Sequence, residues 1–303
     1  MKKFVFDNSV IYQENCEIAI DNIEDKSIKL IYGSPPYPNA KRDYGKWDED
    51  EYIDFISTFL KKAVNKLNDE GFLVINVKAN RKKKKTNQCS ERSLIIEELM
   101  LYIKKELGLY CVDIEIWIKS NPAPTGIKSA CIDAYEYILW FAKSPNWKIN
   151  IDSIRKKYSP VSLKMYSEQI YKKRKNSLYV TRDKKIEPNP KGALPKNSFI
   201  DELKKEINSD MNSFVQDYYS DSNIVYGSTS SRKTNHQAVQ PEYLPKKYIL
   251  ACTNENDLVL DPWLGSGTTG ITAKKLKRRF IGFEKEKKFV DLSLANIKET
   301  KNE

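Results

Sequence analysis

The chain has 303 residues, 40% of them hydrophobic, and a formal net charge of +11. This suits one large α/β domain with an insertion and excludes a mainly disordered chain. No apolar run reaches the ~18 residues of a membrane span, and the N-terminus has no apolar stretch long enough for a signal peptide, so no membrane association and a cytoplasmic location are expected.

The five cysteines (Cys16, Cys89, Cys111, Cys131 and Cys252) are odd in number and scattered, and His236 is the sole histidine. A disulfide framework, a metal site and a histidine-based triad are therefore not expected.

In chain order, 27–32 (SIKLIY) reads as a short apolar strand that stops at Gly33-Ser34-Pro35-Pro36. Segment 49–67 carries helical apolar spacing through Ile53, Phe55, Ile56, Phe59, Leu60, Ala63, Val64 and Leu67. Gly71 separates it from the buried strand 72–77 (FLVINV). An amphipathic helix over 93–107 precedes the alternating strand 111–118 (CVDIEIWI) and a further strand over 134–142 (AYEYILWFA). The link between these last two is too short for a helix, which predicts antiparallel neighbours.

From about 150 to 230 the pattern is basic, tyrosine-rich and weakly periodic. Residues 151–200 hold 13 Lys or Arg against 4 Asp or Glu, and 201–225 reverses sign. A second basic run, Arg81-Lys82-Lys83-Lys84-Lys85, lies between two predicted elements. Such excess charge suits a polyanionic partner, although a lysine-rich proteome would give a similar total. Regular structure resumes with a helix over 241–252, a strand over 257–260, a helix over 268–276, a strand over 279–283 and a helix over 286–297. Strands alternating with helices imply βαβ units and a largely parallel sheet.

Two loops carry chemistry. In 257–269 (DLVLDPWLGSGTT) a strand ends in Asp261, a glycine turn follows and a helix starts at Thr268. Such a turn gathers backbone N–H groups at the positive end of a helix. The next strand ends in Glu284, a carboxylate placed to accept hydrogen bonds from both hydroxyls of a ribose. Gly265, Gly267 and Gly270 also satisfy GxGxxG, as in dinucleotide dehydrogenases. Only 33 residues follow Gly270, too few for a second mononucleotide half, so a cofactor with a single nucleoside fits better.

The other loop is Ser34-Pro35-Pro36-Tyr37, directly after a strand. Proline fixes its backbone and donates no N–H. The Ser34 hydroxyl and the Pro35 carbonyl are thus acceptors for an amino group, and Tyr37 offers a face on which an aromatic ring can stack.

These two motifs, in this order, resemble the amino-group DNA methyltransferases of restriction-modification systems, in the permuted subgroup whose Pro-Pro-Tyr loop precedes the glycine loop. The resemblance covers about 1–145 and 230–300. It takes in Trp117-Ile118-Lys119, Asn121-Pro122-Ala123-Pro124, Ala134-Tyr135-Glu136-Tyr137 and the segment 236–241. It implies a Rossmann-like methyltransferase fold: a mostly parallel twisted sheet, helices on both faces and one antiparallel strand. The implied division is 1–150 for the catalytic loop, 151–230 for an inserted target-recognition region and 231–303 for the cofactor loop.

The implied cofactor is S-adenosyl-L-methionine. Asp261, Pro262, Gly265, Ser266, Gly267, Thr268 and Thr269 would hold its methionine part and Glu284 its ribose, with His236 a hydrogen-bonding neighbour. Where the subgroup has an acid near the adenine amino group, this chain aligns Asn15, whose amide oxygen can still accept. Trp263 stands where many members have phenylalanine, suited to packing or to stacking near the cofactor.

The resemblance further implies direct methyl transfer to nitrogen, with Ser34, Pro35, Pro36 and Tyr37 as the catalytic set. No cysteine follows a proline, as it would in carbon-5 cytosine methyltransferases. Serine at position 34 points to cytosine N4; members acting on adenine N6, the alternative, mostly have Asp or Asn there. The implied partners are double-stranded DNA, from which the target base must be flipped, and a cognate restriction endonuclease. A non-catalytic DNA-binding protein is the reading from another class, and the intact loops argue against it.

Overall fold

The computed structural model describes residues 1–37, 49–78, 81, 89, 91–119, 130, 131, 133–167, 187–196 and 240–300. In chain order they form β1 (Lys2–Phe6), β2 (Ser9–Gln13), α1 (Cys16–Ala19), β3 (Ile28–Gly33), α2 (Glu49–Lys66), β4 (Leu67–Val77), α3 (Ile95–Lys105), β5 (Tyr110–Ile118) and β6 (Tyr135–Ala142). There follow α4 (Pro160–Ser167), α5 (Tyr243–Cys252), β7 (Leu258–Asp261), α6 (Thr268–Lys275), β8 (Arg279–Glu284) and α7 (Lys287–Glu299).

Because successive strand side chains point to opposite faces, each central strand feeds two cores. Leu30 and Tyr32 of β3, with Phe72 and Val74 of β4, face α5, α6 and α7. Ile31, Leu73 and Ile75 face α1, α2 and α3. On α2, Tyr52, Ile56, Phe59, Leu60 and Ala63 are fully buried, the stripe expected of an amphipathic helix laid on a sheet.

The eight strands lie in the order β1-β2-β8-β7-β3-β4-β6-β5. The antiparallel strand expected from the sequence is β6, which pairs antiparallel with β5 and with β4. An N-terminal hairpin not expected from the sequence, in which β1 runs antiparallel to β2, adds a second reversed strand. It turns at Asp7, whose φ is 46°. Strand β4 starts at Leu67, ahead of the expected 72, because Leu67 already pairs with Ile28 before a register shift aligns Phe72 with Leu30.

The chain leaves β3 through α2 on one face and moves outward to β4. It leaves β7 through α6 on the other face and moves outward to β8. Since β3 and β7 are parallel neighbours, their carboxyl ends open into the crevice where such sheets bind ligands.

Of the segment read as an insert, the described part begins inside the second core. Ile154 is buried there, and the Asn150 N–H donates to the Ala251 carbonyl at 2.7 Å. Lys156 pairs with Ala193 in an isolated bridge, while α4 buries no side chain. Among the described residues no helix is long and apolar enough to cross a membrane.

Candidate active site

The two loops singled out in the sequence meet at the crevice. A Cβ on Gly33 would lie 2.9 Å from Asp261 Oδ1 and 2.9 Å from Trp263 Cε3, so the end of β3 tolerates only glycine while the β7 turn lies against it. Beyond Gly33, the Ser34 hydroxyl donates to the Tyr37 hydroxyl oxygen at 3.3 Å. The Tyr37 hydroxyl donates in turn to Glu136 Oε2 at 2.7 Å. Glu136, on β6, is 1% exposed, and its other oxygen forms an ion pair with Lys119.

On the opposite wall, Asp261 closes the glycine turn. It accepts the Trp263 N–H at 3.0 Å and the Thr269 hydroxyl at 2.6 Å. Burial pushes its carboxyl up to about 7, against the lowering effect of those two hydrogen bonds. Gly267 caps α6 at φ 89°, a left-handed conformation that favours glycine.

Glu284, at the end of β8, accepts the Gly265 N–H at 3.0 Å and the Glu286 N–H at 2.9 Å, one on each oxygen. Burial raises its carboxyl as well. The Lys285 N–H also favours the charged form of this carboxylate. The pairing of β2 with β8, which sets Gln13 opposite Glu284, brings Asn15 to the same place. Asn15 caps α1: its amide oxygen accepts the Glu17 N–H at 3.3 Å, and its Nδ2 donates to the Glu17 carboxylate at 3.3 Å.

One cavity of about 330 Å³ is lined from both sides, by Ser34, Pro35, Pro36 and Tyr37 on one wall and by Asp261, Pro262, Gly265, Ser266, Thr268, Thr269 and Glu284 on the other. Asn15 also lines it. Trp263 packs edge-on against Phe59, with ring centroids 5.1 Å apart, and it also lines the cavity. His236 and the Asn121-Pro122-Ala123-Pro124 segment lie outside the described residues. Among the described residues no three His, Cys, Asp or Glu side chains gather as a metal site would require.

Glu136 and Lys119 lie in segments that carry the family resemblance, but no role for either follows from the sequence. A signal was present. In the alternating strand YEYILWFA, Glu136 has the same parity as Ile138 and Trp140, which face the second core. A carboxylate at a core-facing position is costly unless paired.

Comparison with known proteins identifies the family and the fold. Residues 28–295 match the N6/N4 methyltransferase family, described as DNA methylase. The chain is 30% identical over 285 residues to the Type II methyltransferase M1.MboII of Moraxella bovis, covering 93% of each. Among solved structures, the PvuII DNA methyltransferase (cytosine-N4-specific) superposes with a TM-score of 0.66 at 20% identity, covering 96% of this chain and 86% of the other. The M1.HpyAVI–SAM complex superposes with a TM-score of 0.53 at 21% identity, covering 95% and 98%. At those identities the structural likeness establishes the shared Rossmann-like methyltransferase fold.

Proposed function

The chain belongs to the N6/N4 family of DNA methylases, and on that footing we propose that it methylates the exocyclic N4 of a flipped cytosine at a specific site in double-stranded DNA, with S-adenosyl-L-methionine as methyl donor. The observation that carries this reading is the convergence of the Ser34–Tyr37 and Asp261–Glu284 walls on one cavity at the switch point of the sheet.

The cavity suits that donor. Glu284 lines the cavity at the end of its strand, where a carboxylate suits the two ribose hydroxyls. The 261–269 turn and the positive end of α6 suit the methionine part, whose carboxylate favours a helix N-terminus. The group supplies an electrophilic methyl carbon on a positively charged sulfur.

The chain's own residues deal with the acceptor. An exocyclic amino nitrogen is a poor nucleophile because its lone pair is delocalised into the ring. Ser34 Oγ and the Pro35 carbonyl, by accepting its two hydrogens, favour a pyramidal nitrogen with the lone pair aimed at the methyl. Tyr37 holds the flipped ring by stacking. Serine, a small neutral acceptor, suits cytosine because it places no full charge beside O2 and N3.

The basic 151–230 segment is proposed to recognise the target sequence, and a cognate endonuclease in the cytoplasm to be the functional counterpart. The reading is tested by incubating DNA with radiolabelled S-adenosylmethionine, digesting to nucleosides and separating them. Label in N4-methylcytosine is expected. Label in N6-methyladenine would overturn the base assignment, and absence of label the function.

A further inference from the structure

Ser34 can act as described only if its hydroxyl hydrogen points away from the base. A serine hydroxyl both donates and accepts. Turned the other way, it would donate into the amino lone pair, or to a ring nitrogen, and block the attack it should assist.

We propose that Glu136 is a positioning residue that fixes the direction of the Ser34 hydroxyl through Tyr37. As the anionic half of an ion pair with Lys119, Glu136 can only accept. The single Tyr37 hydroxyl hydrogen is therefore committed to Glu136 Oε2, at 2.7 Å. The Tyr37 oxygen is left to accept, and the Ser34 hydroxyl donates to it at 3.3 Å. What Ser34 then offers the cavity is lone pairs alone, the half of a hydroxyl that an amino group needs.

Ser34, Tyr37, Lys119 and Glu136 all line the same cavity. An ion pair that buries its carboxylate completely is a poor source of stability compared with apolar packing. Its place beneath the catalytic loop is accounted for by this polarity.

The inference rests on the proposed role of Ser34 as acceptor. The test is therefore a comparison of single-turnover methylation rates in two backgrounds. Glu136→Gln can donate as well as accept, so the direction is lost while the shape is kept. In the wild-type background the rate is expected to fall about 10- to 100-fold, the size of a lost charge-assisted hydrogen bond. Affinities for S-adenosylmethionine and DNA should stay as in the wild type.

In a Ser34→Ala background the same substitution should cost nothing further, because there is no hydroxyl left to orient. A purely structural role for Glu136 would cost the same in both. Tyr37→Phe keeps the ring and removes the relay, and is expected to slow the step by a similar factor; it decides the matter if Glu136→Gln does not fold. A wild-type rate in either single variant, or an equal loss from Glu136→Gln in both backgrounds, would overturn the inference. Failure of the functional reading shows separately, as absence of label with the wild-type protein. An adenine product would change the base and leave this test intact, since adenine presents the same amino group.

Discussion

The two loops that face each other across the crevice are held in different ways. The 261–269 turn is tied to itself and to the next strand: Asp261 reaches Thr269, eight residues on, and Glu284 reaches back 19 residues to Gly265. The 33–37 loop is held from two strands across the sheet, where Tyr37 reaches Glu136, 99 residues away. The first arrangement builds a rigid cradle from local backbone. The second ties the proposed catalytic groups to a side chain delivered by tertiary structure. Changes to the cradle should act on cofactor binding, and changes to the catalytic loop on the chemical step.

The largest effect is expected on the catalytic side. On the proposed mechanism, Tyr37→Ala removes both the stacking face and the relay, and Ser34→Ala removes an acceptor that matters most as the nitrogen pyramidalises. Each should slow single-turnover methylation by about 100- to 1000-fold, with Tyr37→Phe milder than Tyr37→Ala. Calorimetric binding of S-adenosylmethionine should survive in all three. Loss of cofactor binding in Ser34→Ala would erase the division between the loops.

The cradle gives the next effect. Glu284→Ala should weaken S-adenosylmethionine binding by about 1.5–3 kcal/mol, with turnover recovering at saturating cofactor. Unchanged affinity would remove Glu284 from the ribose site.

Outside both loops, reversing several lysines and arginines in 151–200 to glutamate should weaken DNA binding and flatten its salt dependence, by roughly 0.9 log unit per phosphate contact removed. A slope that does not move would make this run a solvated face.

The smallest effect concerns Asp261 and stability. Burial raises its carboxyl from 3.8 to about 7, so between those values the folded chain keeps a proton that the unfolded chain has released. The contribution of this group to stability is therefore present at low pH and is lost as pH rises towards 7. Asp261→Asn cannot titrate, so the difference in urea midpoint between wild type and variant should change over that window. A pH-independent difference would contradict the buried, raised carboxyl.

The same contrast explains what could be read from the sequence. The glycine turn was legible because its acid, its glycines and its helix start lie within nine residues, and Glu284 follows one helix and one strand later. The SPPY loop was legible as chemistry because proline and tyrosine beside a strand end restrict what it can do. The partners of that loop were not, since Lys119 and Glu136 join it only through the pairing of β4, β5 and β6. Asn15 was placed at the cavity by alignment, yet its use as the cap of α1 follows from where a helix of only four residues begins. The N-terminal hairpin was missed because its strands are short and its turn, Asp7-Asn8, lacks the glycine that marks most two-residue hairpins.

The central claim is that the two loops form one site for methyl transfer to cytosine N4. The most direct test is nucleoside analysis by mass spectrometry of DNA incubated with S-adenosylmethionine and either wild-type or Ser34→Ala protein, each first shown to bind the cofactor. N4-methylcytosine should form with the wild type and fall by at least about 100-fold in initial rate with Ser34→Ala. Full N4-methylcytosine formation by the variant, or a wild-type product other than N4-methylcytosine, would contradict it.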